Sequence, residues 1–141
     1  MTCFHLAFPC HDFEAAKEFY QDKLGFEIGR QSSNAMIINC GDNQLVAHRC
    51  DKPLPIQATI YPRHFGLIFD SLEEYQSLVE KVKSLNIEFH CQPKIRFEGS
   101  QLEHHSFFLK DPSNNLLEFK YYRYPTAIFE EQDFKQVGES V

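Results

Sequence analysis

The stretch RHFGLIF at residues 63–69 decides the fold, because a counterpart, CFHLAF, stands at residues 3–8. Both are short apolar runs with the length and composition of a β-strand. Each run holds one histidine, and His5 and His64 take matching places when the runs are aligned. An imidazole inside an apolar strand is costly to bury without a partner. The two runs therefore predict a repeated strand with one partner-seeking imidazole in each half of the chain.

A third apolar run, NLLEFKYY at residues 115–122, carries a single carboxylate, Glu118. One divalent metal would satisfy His5, His64 and Glu118 together. Two histidines and one carboxylate are also the ligands of the facial triad of non-heme Fe(II) oxygenases. The sequence therefore predicts a metal site formed by these three residues.

The chain divides into two similar halves, each reading as a strand, a helix and then several strands. The first helix is predicted from Asp12, as N-cap, to about Leu24, where Gly25 stops it. The second is predicted to start after Asp70-Ser71 and to run to about Leu85. The remaining strands are predicted at residues 26–31, 35–40, 44–50, 87–91, 105–110 and 115–122, with 92–104 as a loop.

Strand parity separates the polar side chains from the large apolar ones, since neighbouring side chains on a strand point to opposite faces. In each of the three runs a set of large apolar residues, such as Leu117 and Phe119 around Glu118, shares the face suited to packing on a helix. We therefore expect His5, His64 and Glu118 to converge on the concave face of a curved sheet. His104 and His105 are adjacent, so only one of them can line the mouth of a pocket; otherwise both are loop residues.

Composition limits the class of protein. The 141 residues predict one domain, and 43% hydrophobic residues suffice for a core. A net charge of −6 argues against nucleic acid or an anionic membrane as partner. No apolar run is long enough to span a membrane, and the N-terminus lacks the pattern of a signal peptide. Five scattered cysteines indicate reduced thiols, so we expect a cytoplasmic protein.

Several short strings give the sequence a family resemblance. They are FY at 19–20, LGF at 24–26, QLVAH at 44–48, PRHFG at 62–66, IRF at 95–97, DPSNN at 111–115 and LEFK at 117–120. Over about residues 3–125 the chain resembles the vicinal oxygen chelate superfamily. That superfamily includes glyoxalase I, fosfomycin and bleomycin resistance proteins, and type I extradiol dioxygenases. The strings are most similar to a small single-domain subgroup of extradiol-dioxygenase-like proteins.

The resemblance implies an α+β fold in which two tandem βαβββ modules form a cup of curved mixed sheet. The domain would cover residues 1–125, with module 1 at about 3–50, a linker at 51–62 and module 2 at about 63–122. Residues 126–141 would form a C-terminal tail. The resemblance also implies a homodimer and a small-molecule substrate.

The resemblance further implies that His5, His64 and Glu118 bind the metal, with Fe(II) favoured and Mn, Zn or Ni as alternatives. The substrate would chelate the metal through two neighbouring oxygens, and O2 would take a remaining position. His48 would move a proton or be a fourth ligand, because Val46, at the equivalent place of a glyoxalase ligand, cannot bind a metal. Three further residues complete the predicted site. Arg96 and Gln44 would bind the substrate, Arg96 through a substrate carboxylate, and Tyr122 would be a catalytic group together with His48.

Three functions remain open at this point. The first is a dioxygenase of extradiol type that cleaves a catechol-like compound. The second is a glyoxalase-like isomerase or lyase, or a thiol transferase, that uses a non-redox divalent metal. The third is a non-enzymatic ligand-binding protein of the bleomycin-resistance type. The presence of a ligand-type residue at all three positions, His5, His64 and Glu118, argues against the non-enzymatic ligand-binding protein.

Overall fold

The computed structural model describes residues 2–138, and these residues form two compact units. Within the described residues, unit 1 extends to Gln57 and includes Lys110–Asn115, and unit 2 consists of Ala58–Leu109 together with the chain from Leu116 onward. Each unit contains one four-stranded mixed sheet and helical segments. The predicted α+β class with two modules is confirmed. None of the described helices is both long enough and apolar enough to cross a membrane.

The sheet of unit 1 has the strand order β1-β4-β3-β2. The parallel pair is β1 with β4, and the other neighbours are antiparallel. The elements in chain order are β1 (His5–Cys10), α1 (Phe13–Lys17), a π-helical segment (Glu18–Lys23), β2 (Glu27–Gln31), β3 (Ala35–Cys40) and β4 (Asn43–Arg49).

The sheet of unit 2 repeats this order as β5-β8-β7-β6, again with its first pair parallel. The elements in chain order are β5 (Phe65–Ile68), α2 (Leu72–Ser84), β6 (Cys91–Arg96), β7 (His104–Lys110), β8 (Leu116–Tyr122) and α3 (Thr126–Phe129). The two sheets therefore share one topology, as the internal repeat predicts.

Local sequence explains where both longer helices begin. The Asp12 side chain accepts a hydrogen bond from Ala15 N, and the Ser71 hydroxyl accepts one from Glu74 N. Each side chain thus satisfies a backbone N–H that the first helical turn leaves without a partner. The first helix differs from the prediction, because after Lys17 it continues as a π-helical turn instead of an α-helix.

Buried and less buried side chains alternate along the strands of both sheets, on the faces that strand parity predicts. On β8, Leu117 and Phe119 are fully buried, whereas Glu118 and Lys120 lie half-buried on the other face. On β4, the buried side chains alternate with a second set formed by Gln44, Val46 and His48. The residue types proposed for the site therefore lie on the faces opposite the buried core side chains.

The prediction for residues 87–91 is wrong, because the strand is Cys91–Arg96. Proline cannot donate a ladder hydrogen bond, so Pro93 is an unusual residue for the interior of a strand. The structure accommodates it on an edge strand whose register with β7 shifts between Cys91 and Lys94. Arg96 consequently lies at the end of a strand instead of in a loop, and only 3% of it is exposed.

The turn at Lys110–Asn115 follows a strand of unit 2 but belongs to unit 1. Asp111 Oδ1 accepts hydrogen bonds from Ser113 N and Asn115 N, and Asp111 Oδ2 accepts one from the Tyr20 hydroxyl at 2.6 Å. The Asn115 side-chain amide donates to Pro9 O at 2.9 Å. These bonds hold the turn against β1 and the helical segment of unit 1.

Candidate metal site

His64 and Glu118 meet on one face of the unit 2 sheet. His64 directly precedes β5, so it lies one residue outside the observed strand although the predicted strand includes it, and Glu118 lies on the neighbouring strand β8. The distance from His64 Nε2 to Glu118 Oε1 is 3.2 Å, and both side chains are half-buried. Two of the three predicted ligands are therefore brought together within one unit.

Gly66 makes the close approach of these two strands possible. It is the register partner of Glu118 in the parallel β5–β8 pair. A Cβ atom at this position would collide with the backbone carbonyl of Glu118. The strand that follows His64 can lie this close to Glu118 only because residue 66 has no side chain.

Hydrogen bonds fix the orientation of both side chains. His64 Nδ1 lies 2.7 Å from Ile60 O, and because a carbonyl can only accept, Nδ1 is the donor. In the neutral ring the lone pair then lies on Nε2, which faces Glu118. The Ser106 hydroxyl donates to Glu118 Oε2 at 2.5 Å. Such outer contacts are typical of metal ligands, so this donor pair fits a divalent metal.

The electrostatics of the pair favour an ionised carboxylate. The hydrogen bond to Glu118 is the main cause that raises the pKa of His64 above its usual value. Burial raises the pKa of Glu118, but His64, Lys120 and Ser106 together outweigh burial and hold that pKa below its usual value. Because metal ligands must be deprotonated, a metal would replace the proton that this pair shares.

His5, the third predicted ligand, belongs to unit 1. Like His64, it has its Nδ1 atom next to a carbonyl oxygen. Its Nδ1 atom lies 2.7 Å from Gln44 Oε1, and the two residues are register partners in the β1–β4 pair. Nδ1 is again the donor, so Nε2 of an exposed imidazole carries the lone pair. Gln44 was predicted to bind substrate. In the structure its side-chain carbonyl oxygen accepts a hydrogen bond from His5, a proposed metal ligand.

His48 lies on the same face of the unit 1 sheet as His5 but farther along it. Its register partner on β1 is Pro9, four residues beyond His5, which corresponds to roughly 13 Å along a strand. Its side chain is exposed. Taken one unit at a time, residues 2–138 contain no group of three His, Cys, Asp or Glu side chains able to hold a metal ion. The roles of His5 and His48 stay predictions.

A cavity of about 180 Å³ opens beside His64 and Glu118 in unit 2. Arg96, His104 and Lys120 are among the residues that line it. His104 is 4% exposed and faces the cavity, whereas His105 points to the other face of the sheet and packs on Tyr75. The adjacent histidines therefore separate as strand parity predicts.

Tyr122 lies beyond Lys120 on β8. It accepts a 2.7 Å hydrogen bond from Lys120 Nζ, and its ring centroid is 4.7 Å from that of His104. Four residues separate it from Glu118, or roughly 13 Å of strand. Its catalytic role stays a prediction, and its contacts are with Lys120 and His104 at the far end of the cavity wall.

Sequence reasoning did not single out Ser106 or Lys120. Lys120 was visible in the sequence, because it shares strand parity with Glu118. Ser106 was not, because its contact with Glu118 depends on how β7 aligns with β8, and no local pattern specifies that register.

Comparisons with known proteins agree with this fold. The family model of the Glyoxalase/Bleomycin resistance protein/Dioxygenase superfamily matches residues 2–119, and the chain belongs to this superfamily. The crystal structure of a glyoxalase/bleomycin resistance protein/dioxygenase from Alicyclobacillus acidocaldarius is 39% identical, with a TM-score of 0.85 over 91% of this chain and 96% of that chain. The superfamily predicted from the sequence is thereby confirmed.

Two more distant structures share the fold. Lactoylglutathione lyase from Agrobacterium tumefaciens is 19% identical, with a TM-score of 0.65 over 85% of this chain and 92% of that chain. A genomically encoded fosfomycin resistance protein from Listeria monocytogenes is 17% identical, with a TM-score of 0.67 over 90% of this chain and 98% of that chain. No curated protein matches the chain.

Proposed function

We propose that this protein is a metal-dependent enzyme of the extradiol dioxygenase type, acting on a small catechol-like substrate with two neighbouring oxygens. The observation that carries the proposal is the 3.2 Å approach of His64 Nε2 to Glu118 Oε1. Both side chains are held in place by further hydrogen bonds, from the Ser106 hydroxyl to Glu118 Oε2 and from His64 Nδ1 to Ile60 O. His5 is the proposed third ligand, with its ring oriented in the same way by Gln44.

The donor set supports a three-ligand site. The face of β4 that includes the partner of His5 carries Gln44, Val46 and His48, and none of these is a carboxylate. Two histidines and one carboxylate leave open positions on an octahedral ion, as in non-heme Fe(II) oxygenases. When bound, such an ion stabilises negative charge on two neighbouring substrate oxygens and, if it is iron, supplies redox chemistry with O2.

The remaining residues would bind substrate and move protons. Arg96 is proposed to bind a substrate carboxylate through its planar guanidinium, and its burial on the cavity wall supports this role. His48 is proposed as the acid or base, since an imidazole suits proton transfer near neutral pH. Tyr122 is proposed to donate a hydrogen bond, because its oxygen already accepts one from Lys120.

A non-redox isomerase, lyase or thiol transferase is the second candidate. The same ligands also bind Mn, Zn or Ni, and any of these would stabilise an enediolate without O2. A ligand-binding protein without catalysis is the third candidate, and the oriented His64–Glu118 pair argues against it.

Metal content tests the proposal first. The protein is purified without oxygen, reconstituted with Fe(II), desalted and measured by elemental analysis, alongside His64→Ala, Glu118→Gln and His5→Ala. His90→Ala is the matched control, since this exposed histidine lies outside the site. We expect about one iron per chain in the wild type and the control, and at least a tenfold weaker affinity in the other three. A wild type that binds no divalent metal after reconstitution overturns both enzyme candidates.

Oxygen uptake then separates the two enzyme candidates. Iron-loaded protein is supplied with catechol and substituted catechols in an oxygen electrode. Substrate-dependent O2 consumption that disappears in Glu118→Gln supports a dioxygenase. Stoichiometric metal with no O2 consumption for any catechol overturns the dioxygenase and leaves the non-redox candidate.

A further inference from the structure

The C-terminal segment, residues 126–138, lines two neighbouring cavities of unit 2. Its last described residues, Val137 and Gly138, line the cavity of about 180 Å³ that contains His64 and Glu118. They also line a second cavity of about 290 Å³, whose other lining residues come from β7, β8, the loop between β6 and β7, and the segment itself. The end of the C-terminal segment therefore stands at the border between the two cavities.

Gly138 packs against the hydroxyl group of Tyr61, which lines the cavity beside His64. Its φ angle of 79° lies in the left-handed region that favours glycine. A Cβ atom at this position would collide with the Tyr61 hydroxyl. The contact therefore requires a residue without a side chain, and it brings the end of the C-terminal segment onto the wall of the cavity.

The C-terminal segment has little hold on the rest of unit 2. The hydrogen bonds that its described residues make all join residues within 124–136, such as the 2.6 Å bond from the Thr126 hydroxyl to Glu131. Residues 132–138 are exposed, and Val137 buries almost none of its surface. A segment with few buried contacts and exposed hydrogen bonds opens locally at a small cost in free energy.

The side chain of Phe134 is the anchor of the C-terminal segment. Only 39% of Phe134 is exposed, and it lines the second cavity together with Phe97 and Leu102 of the loop before β7. Phe129 belongs to the same segment but is 91% exposed, so its ring contributes little burial. Loss of the Phe134 ring should therefore loosen the segment, whereas loss of the Phe129 ring should not.

We propose that the C-terminal segment acts as a strap, which opens to admit a small molecule to the cavity beside His64 and Glu118 and closes over the molecule once it is bound. Phe134 holds the segment in place, and the contact between Gly138 and Tyr61 closes its end. This inference goes beyond the proposed function and does not depend on it, because the segment lines the cavity whether or not a metal binds there.

His104 can report the opening of the C-terminal segment. It is buried, it lines both cavities, and its Nδ1 donates to Leu102 O at 2.9 Å, which leaves the lone pair on Nε2. Diethyl pyrocarbonate reacts with this lone pair once the reagent reaches it. His105 packs on Tyr75 on the other face of β7 and reports opening of the sheet, and the exposed His90 is the reference for the reagent. Modification of these histidines in the metal-free protein is followed by tandem mass spectrometry.

Two matched pairs of variants change the hold on the C-terminal segment. Phe134→Ala removes the anchor, and Phe129→Ala, at an exposed position of the same segment, is its control. Gly138→Ala places a methyl group against the Tyr61 hydroxyl, so that either the segment or Tyr61 must move. Gly99→Ala is its control, because Gly99 has a similar φ of 82° and open space where the methyl group would lie.

We expect the two test variants to raise the reactivity of His104 relative to His90 by about fivefold or more, because they increase the open fraction of the segment. The reactivity of His105 should not change, and both controls should match the wild type. Equal reactivity of His104 in all five proteins overturns the proposal. A parallel rise of His105 also overturns it, because the sheet itself would then have opened.

Trypsin tests whether the C-terminal segment closes over a bound molecule. Lys135 is an exposed residue of the segment, and cleavage after it requires the open state. We expect Zn(II) together with catechol to slow this cleavage by about fivefold or more in the wild type, and less in Phe134→Ala. An unrelated peptide in the same tube controls for the activity of trypsin. Unchanged cleavage in protein that holds both Zn(II) and catechol by calorimetry overturns closure over a ligand.

The two measurements separate this inference from the proposed function. If the protein binds no metal, the proposed function fails, and the reactivity of His104 in the metal-free protein still decides whether the segment opens. If the protein binds Zn(II) and catechol but neither His104 nor Lys135 responds as expected, the strap is overturned and the proposed function stands.

Discussion

The hydroxyl of Tyr20 donates a 2.6 Å hydrogen bond to Oδ2 of Asp111, although the two residues are 91 positions apart. Tyr20 is fully buried and Asp111 nearly so. Each stands in one of the short strings on which the family resemblance rests, FY at 19–20 and DPSNN at 111–115. Two motifs that look unrelated in the sequence are therefore the donor and acceptor of one bond inside unit 1.

Tyr20→Phe should destabilise the protein. The substitution keeps the ring but leaves the buried Asp111 carboxylate with one hydrogen bond fewer, and a bond to a charged group contributes about 1.5–3 kcal/mol. Urea unfolding at pH 7 measures the change in the free energy of unfolding. Tyr124→Phe, at a half-buried position, is the control. A loss for Tyr20→Phe no greater than that of the control would contradict the assignment.

The stabilisation that Tyr20→Phe removes should also depend on pH in the alkaline range. Burial, followed by Asp111, raises the pKa of Tyr20 well above its ordinary value of 10.0. A raised pKa in the folded state gives stability that is present below pH 10 and lost as the pH rises, because the unfolded chain ionises first. The free-energy gap between wild type and Tyr20→Phe should therefore be constant up to about pH 9 and narrow above pH 10. A gap that widens between pH 10 and 11 would rule this out.

Ser106→Ala should weaken metal binding without removing a ligand. Ser106 holds Glu118 Oε2, and loss of such an outer contact typically lowers metal affinity by about 10–100-fold. Competition with a chromophoric chelator measures the affinity. Ser33→Ala, at an exposed position of unit 1, should leave it unchanged. Equal affinities for the two variants would show that Ser106 does not position the carboxylate.

Gln44→Leu distinguishes two roles for Gln44. If Gln44 orients His5, as their 2.7 Å contact indicates, the variant should lower metal affinity by about tenfold or more. If Gln44 binds substrate instead, as the sequence predicts, metal affinity should hold and the KM for a catechol should rise. The chelator assay and steady-state kinetics on the same sample separate these outcomes.

Gly66→Ala should be far more damaging than Gly29→Ala, although both glycines lie in strands. A methyl group at residue 66 collides with the Glu118 backbone, whereas at residue 29 it meets Cγ2 of Ile37 at 3.2 Å, a contact that a shift of a few tenths of an ångström relieves. We expect a loss of about 3 kcal/mol for Gly66→Ala and less than half of that for Gly29→Ala. Thermal and urea unfolding measure both, and similar losses would contradict the close approach of β5 to β8.

Local patterns predicted the elements whose signals lie within a few residues. Ser71 as N-cap and the apolar spacing of Tyr75, Val79 and Val82 place α2 at nearly its observed bounds. Strand parity put Glu118 opposite Leu117 and Phe119, as observed. Periodicity and capping are local properties, so sequence alone is sufficient for them.

Features that depend on strand register could not be predicted. The shift in register around Pro93 arises where β6 pairs with β7, and the same pairing places Arg96 beside His104. The contact of Ser106 with Glu118 likewise needs the alignment of two strands. No pattern within one strand determines how far its neighbour is shifted.

The turn at Lys110–Asn115 has a consequence for how this duplicated chain can be divided. A fragment that stops at Gln57 has every strand of the first sheet, yet it lacks the acceptor of the Tyr20 hydroxyl and the serine that contacts His11. If the first half were cut at the linker and joined to another protein, the buried Tyr20 hydroxyl would therefore lack its hydrogen-bond acceptor, Asp111. The first copy of the repeat is therefore complete only when the chain continues through the turn at Lys110–Asn115.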